Sequence, residues 1–109
     1  MTGYLFIETR DPFESRDTEF VAETAAALKE RDHEVTVFLV QNGVLPARRG
    51  AGDEYLSRLV QSGVRVLADD FSLSERGIEG DDLRAGVTQS GVDALVELLA
   101  RGETKAVWH

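Results

Sequence analysis

Apolar residues fall along the chain in short runs of two kinds, continuous and helically spaced. Tyr4-Leu5-Phe6-Ile7 is continuous and ends in the polar stretch Glu8-Thr9-Arg10-Asp11-Pro12, the pattern of a strand buried on both faces and then a loop. Asp17 or Thr18 is placed to cap a helix whose stripe is Phe20, Val21, Thr24, Ala27 and Leu28, with Glu23, Glu30 and Arg31 on the wet side. The turn Arg31-Asp32-His33 leads into Glu34-Val35-Thr36-Val37-Phe38-Leu39-Val40, rich in β-branched and aromatic residues and without helical period. Gln41-Asn42-Gly43 stops that strand, and a glycine-rich polar loop from Arg48 to Asp53 precedes a short helix marked by Leu56, Leu59 and Val60. Gly63 ends the helix as a left-handed cap.

Val64, Val66, Leu67 and Ala68 then predict a third strand, running into Asp69-Asp70 and a helix starting near Ser72. A weak fourth strand is placed around Ala85 to Thr88. Ser90, with Asp93 three places on, is a cap for a last helix that buries Val92, Leu95, Val96 and Leu99 and stops at Gly102. Lys105-Ala106-Val107-Trp108 is a final strand. Alternating strands and helices with short connections predict one α/β domain over residues 1–109, a three-layer sandwich with a mostly parallel four- to five-stranded sheet. Ligands of such sheets bind beyond the carboxyl ends of the strands, so Glu8 to Asp11, Gln41 to Val44 and Asp69 to Ser72 share one rim.

Composition narrows the chemistry. Twelve Lys and Arg against twenty Asp and Glu leave a net charge of −8 over 109 residues. That field repels phosphate backbones and anionic membranes, so neither nucleic acid nor a membrane is an expected partner. There is no cysteine, which removes disulfides, thiolate nucleophiles and the common structural zinc sites. No run approaches the roughly 18 apolar residues of a membrane span, and Met1-Thr2-Gly3-Tyr4 lacks a basic signal-peptide region; a cytoplasmic location is expected.

Three segments together resemble the small sulfur-relay family of DsrE, DsrF and related tRNA-thiolation subunits. Asp32-His33-Glu34-Val35 followed by Val37 to Val40 and Gln41-Asn42-Gly43-Val44 is similar to the family's second strand and its Asn-Gly-Val exit. Gly63-Val64-Arg65-Val66 running to Ser74-Glu75-Arg76-Gly77-Ile78 is similar to the third strand and its Arg-Gly-Ile. The last helix and the strand ending in Trp108-His109 match the final unit. The resemblance implies a homo-oligomer (dimer, trimer or hexamer) or a hetero-oligomer with a DsrE-like homologue. Members that relay sulfur carry a cysteine just after the third strand, where counting back from Arg76-Gly77-Ile78 puts Asp69. A carboxylate has no persulfide chemistry, so sulfur transfer by this chain's own thiol is excluded.

The candidate ligand-binding residues are Gln41, Asn42, Gly43, Asp69, Asp70, Ser72 and Arg76. Asp69 and Asp70 are either an acid–base pair, ligands for a hard cation, or a solvated helix cap. Arg76 either anchors an anion or pairs with Asp69. Asn42-Gly43 is either a backbone cradle or a tight turn. His33 and His109 lie apart and without a spaced carboxylate, so neither is expected to ligate a metal, and no cofactor is expected. Gly50-Ala51-Gly52 lacks the strand before it and the Lys-Ser/Thr after it that a phosphate loop needs, and no serine sits in a nucleophile elbow. Trp108 packs inward or faces a partner. The resemblance, together with the missing cysteine, implies a non-catalytic or regulatory oligomeric binding module in sulfur trafficking or a related pathway. The alternatives are a small enzyme using Asp69 and Asp70, and a pseudo-subunit of a sulfurtransferase whose cysteine lies on a partner.

Overall fold

The computed structural model describes residues 3–51 and 54–109, so Gly52 and Asp53 of the glycine-rich segment lie outside the described residues. The strands are β1 (Gly3–Glu8), β2 (Glu34–Leu39), β3 (Arg65–Asp69), β4 (Val87–Ser90) and β5 (Thr104–Trp108). The α-helices are α1 (Asp17–Glu30), α2 (Tyr55–Gln61), α3 (Asp70–Glu75) and α4 (Val92–Ala100), and 3₁₀ segments cover Gln41–Ala47 and Gly80–Asp82. The five strands form one sheet in the order β4-β3-β2-β1-β5, and every pairing is parallel. Parallel neighbours require crossovers, and these lay helices on both faces.

Side chains alternate between two cores. Phe6, Val37, Leu39 and Val66 point to one face and pack with Val21 and Ala25 of α1, Leu56 and Leu59 of α2, and Val44 of the 3₁₀ segment. Leu5, Ile7, Phe38 and Leu67 point to the other, where Leu98 and half-buried Leu95 of α4 cover them. The second core is the smaller, because a nine-residue helix is its only helical cover among the described residues.

Both long helices turn differently from their sequence pattern. In α1 Thr18, Val21, Ala22 and Ala25 are buried, while Phe20 is 59% exposed and Ala27 faces water. Small residues on the inner stripe let the helix lie close to the sheet, which large Phe20 would prevent. Neither Asp17 nor Thr18 caps it; Ser15 Oγ accepts the Asp17 N–H at 3.2 Å and the Thr18 hydroxyl donates to the Ser15 carbonyl. In α4 only Leu98 is buried, and Val92, Val96 and Leu99 are 59%, 58% and 47% exposed. Ser90 is held in β4, so the cap position falls to Gly91 and the Ser90–Asp93 cap does not form. The helix stops because Arg101 turns extended (φ −70°, ψ 126°), one residue before Gly102.

Two smaller shifts have similar local causes. Gly86 adopts φ +89° and a Cβ there would meet Val60 at 2.5 Å, so the chain turns at Ala85-Gly86 and β4 begins after it, at Val87. Helix α3 starts at Asp70 rather than near Ser72, because Asp69 caps it. Gly63, at φ +87°, closes α2 as its position predicts, with the Val64 N–H reaching the Leu59 carbonyl.

Candidate functional site

The carboxyl ends of β2 and β3 bring the polar rim together, while Glu8 to Asp11 after β1, expected on the same rim, do not line it. Asp69 ends β3 in extended conformation, and its Oδ2 accepts the Ser72 N–H at 2.9 Å and the Ser72 hydroxyl at 2.7 Å. Ser72 Oγ in turn accepts the Gln41 N–H at 2.8 Å, across 31 residues of sequence. This chain of bonds holds Gln41 at φ +52°, a left-handed backbone that a residue with a side chain adopts at a cost. Arg76 does not pair with Asp69. Its Nε and Nη2 donate to Asn42 Oδ1 at 3.2 and 3.0 Å, and its Nη1 donates to the Ser72 carbonyl at 3.1 Å.

These groups line an open cleft of about 700 Å³, walled by Val40, Phe71, Glu75 and Trp108. Gln41, Asn42, Asp69, Ser72 and Arg76 therefore meet in one place. Two of the sequence candidates do not join them. Asp70 begins α3 with its carboxylate toward Gly91, so it diverges from Asp69. Gly43 is buried beneath the rim, where a Cβ would lie 2.2 Å from the Glu8 carbonyl oxygen; close approach, and not a left-handed turn, is what requires glycine. Trp108 does not pack inward: it is 69% exposed and its side chain borders the cleft. Among the described residues, no group of three or more His, Asp or Glu side chains is arranged to hold a metal ion.

Sequence reasoning passed over a second constellation on the opposite face of β1. Glu8 is fully buried, and His109 Nδ1 lies 2.8 and 2.5 Å from its two carboxylate oxygens. The other ring nitrogen, Nε2, is 3.6 Å from Asp17 Oδ2 at the start of α1. Backbone bonds fix the pair: the His109 N–H donates to the Ile7 carbonyl at 2.8 Å, and Thr9 N–H and hydroxyl both donate to the His109 carbonyl at 2.9 Å. Only the β1–β5 pairing makes these residues neighbours. One signal was present, since Glu8 follows Phe6 by two residues and so points to the same buried face.

Burial pushes the Glu8 carboxyl above its ordinary value of 4.5, while the hydrogen bond and charge of His109 and the backbone N–H and charge of Arg10 pull it back. Folded Glu8 therefore binds protons more tightly than unfolded Glu8, and its contribution to stability falls as pH rises from 4.5 through the raised folded value. In denaturant titrations between about pH 4 and 8, Glu8→Gln should remove this decline, so that the variant gains on the wild type as pH rises. A wild-type minus variant difference that is flat, or that grows with pH, would show that Glu8 does not titrate this way.

The chain as a whole matches known proteins. A family model described as the DsrE/DsrF-like family matches residues 3–105. The chain belongs to that family. Among solved structures, the chain is similar to the ychN protein of E. coli, with a TM-score of 0.84 at 20% identity, over 98% of this chain and all of that one. It is also similar to MTH1491 of Methanobacterium thermoautotrophicum, a protein of unknown function (TM-score 0.80, 24% identity, 98% and 97% covered). BT1422 of Bacteroides thetaiotaomicron, likewise of unknown function, gives 0.77 at 22% identity, over 97% and 95% of the two chains. No curated protein matches the chain. At these identities the structural likeness speaks for the fold. The five-stranded parallel sheet is the DsrE-like architecture, and no described helix is long and apolar enough to cross a membrane.

Proposed function

We propose that this DsrE/DsrF-like chain is a non-catalytic oligomeric binding module in sulfur trafficking, with the Asp69–Arg76 cleft as its ligand site. The exposed stripe of α4 carries the reading. Val92, Val96 and Leu99 recur at helical spacing on the outer side of the helix that covers the smaller core, and all three are about half exposed or more. A contiguous apolar patch of this kind on a soluble protein marks an interaction surface. A second copy fits it: antiparallel packing of two α4 helices about Val96 brings the Arg101 end of each to the Asp93 end of the other.

The absence of any thiol and the capping role of Asp69, at the position that the resemblance assigns to the sulfur carrier, support binding rather than relay. The divergence of Asp69 and Asp70 weighs against an enzyme built on that pair. Sedimentation equilibrium should give a dimer or larger assembly, and Val96→Glu should shift it to monomer by placing two like charges at the seam. A wild-type protein that stays monomeric at high concentration would sink this reading. A pseudo-subunit role, favoured by Asp69 standing where relay members have cysteine, makes a different prediction. Native mass spectrometry of the complex from its own cells would then show a cysteine-bearing homologue bound to this chain.

A further inference from the structure

Resting on the reading of the cleft as a ligand site, we infer that its ligand is an organic cation, an alkylated ammonium on an apolar body. The cleft has aromatic walls at two places. Phe71 is 70% and Trp108 69% exposed, although large aromatic side chains gain most from burial, and both border the same hollow. The negative faces of such rings attract ammonium groups, most strongly when the cation is alkylated and easily desolvated.

The polar groups point the same way. Asp69 Oδ2 is occupied by both donors of Ser72, while Oδ1 has no hydrogen bond among the described residues; exposed Glu75 stands on the same lining. The one cationic side chain among the described residues that line the cleft, Arg76, is already engaged by its neighbours. Its Nε and Nη2 are held by Asn42, so an anion would have to displace those bonds to use that side of the guanidinium, and the Ser72 carbonyl takes one of the two Nη1 N–H groups. The net charge of −8 adds an attractive long-range field for a cation and a repulsive one for an anion. A volume of about 700 Å³ admits a small molecule with an apolar body.

Trp108 is the only tryptophan, so its fluorescence reports on this cleft alone. The experiment titrates the full chain with benzyltrimethylammonium, benzyl alcohol and benzoate at one fixed ionic strength, following Trp108 emission. The expected result is a saturable change with the cation at concentrations where the alcohol and the anion cause none. Asp69→Asn should weaken that response at least tenfold. Asparagine caps a helix as well as aspartate, so this variant keeps α3, and circular dichroism verifies the fold. Benzoate binding as tightly as the cation would overturn the cation while leaving the cleft a ligand site. No saturable response to any probe would overturn both. Unchanged affinity in Asp69→Asn would overturn the assignment by showing that the cation follows the general field of the protein.

Discussion

Gly43→Ala is expected to destabilise the protein by about 3 kcal/mol, at the upper end of what an overpacking substitution costs. The added methyl would lie 2.2 Å from the Glu8 carbonyl oxygen and 3.0 Å from its carbon, and both are backbone atoms that cannot rotate aside. The same carbonyl accepts the Val40 N–H at 3.0 Å, so the clash falls on the bond that joins the end of β1 to the exit of β2. Relief requires the 3₁₀ segment to lift away, and that segment carries Gln41 and Asn42 into the cleft. Gly50→Ala is a suitable control, since Gly50 has φ +81° but nothing within 4 Å of its missing Cβ. It should cost only about 1–2 kcal/mol, the penalty of a left-handed conformation. Urea titrations of the two variants decide the matter; a Gly43→Ala protein no less stable than Gly50→Ala would mean that the loop yields without strain.

The second large effect is expected at His109. Replacing it with alanine keeps the backbone bonds of the β1–β5 pairing but leaves the fully buried Glu8 carboxylate without the ring that contacts both its oxygens. Leaving a buried charged acceptor without its hydrogen-bond partner costs about 1–3 kcal/mol or more. The His109 side chain is 24% exposed, so water enters the vacated space, and a loss of about 3 kcal/mol near neutral pH is the expected figure. The loss should shrink on acidification, as Glu8 takes up a proton and the uncompensated charge disappears. Glu8→Gln in the His109→Ala background should recover most of it, because a neutral amide needs less from its surroundings. Thermal and urea unfolding of the two single variants and the double variant complete the cycle. A His109→Ala protein with unchanged stability would show that the contact contributes nothing to the fold.

Much of the cleft was legible because its residues sit where strands end. In a parallel sheet every strand exit falls on one rim, so Gln41-Asn42 after β2 and Asp69 to Ser72 after β3 had to be neighbours once the order of elements was read. Their partners were not legible. The sequence offered Asp69 as a partner for Arg76, and only the path of the 3₁₀ segment makes Asn42 the acceptor. Trp108 was open between core and surface until the β1–β5 pairing set it in register with Ile7 at the sheet edge.

Periodicity and composition alone determined the alternation of strands and helices, the parallel sheet, the shared rim and the exclusion of thiol chemistry. These depend on local spacing and on residue types, which the chain carries irrespective of what it folds against. Tertiary structure alone decided which face of α1 and α4 is buried, because Val92, Leu95, Val96, Leu98 and Leu99 leave α4 apolar on more than one side. It likewise decided that His109 meets Glu8 across 101 residues of sequence, since only the pairing of β5 with β1 closes that distance.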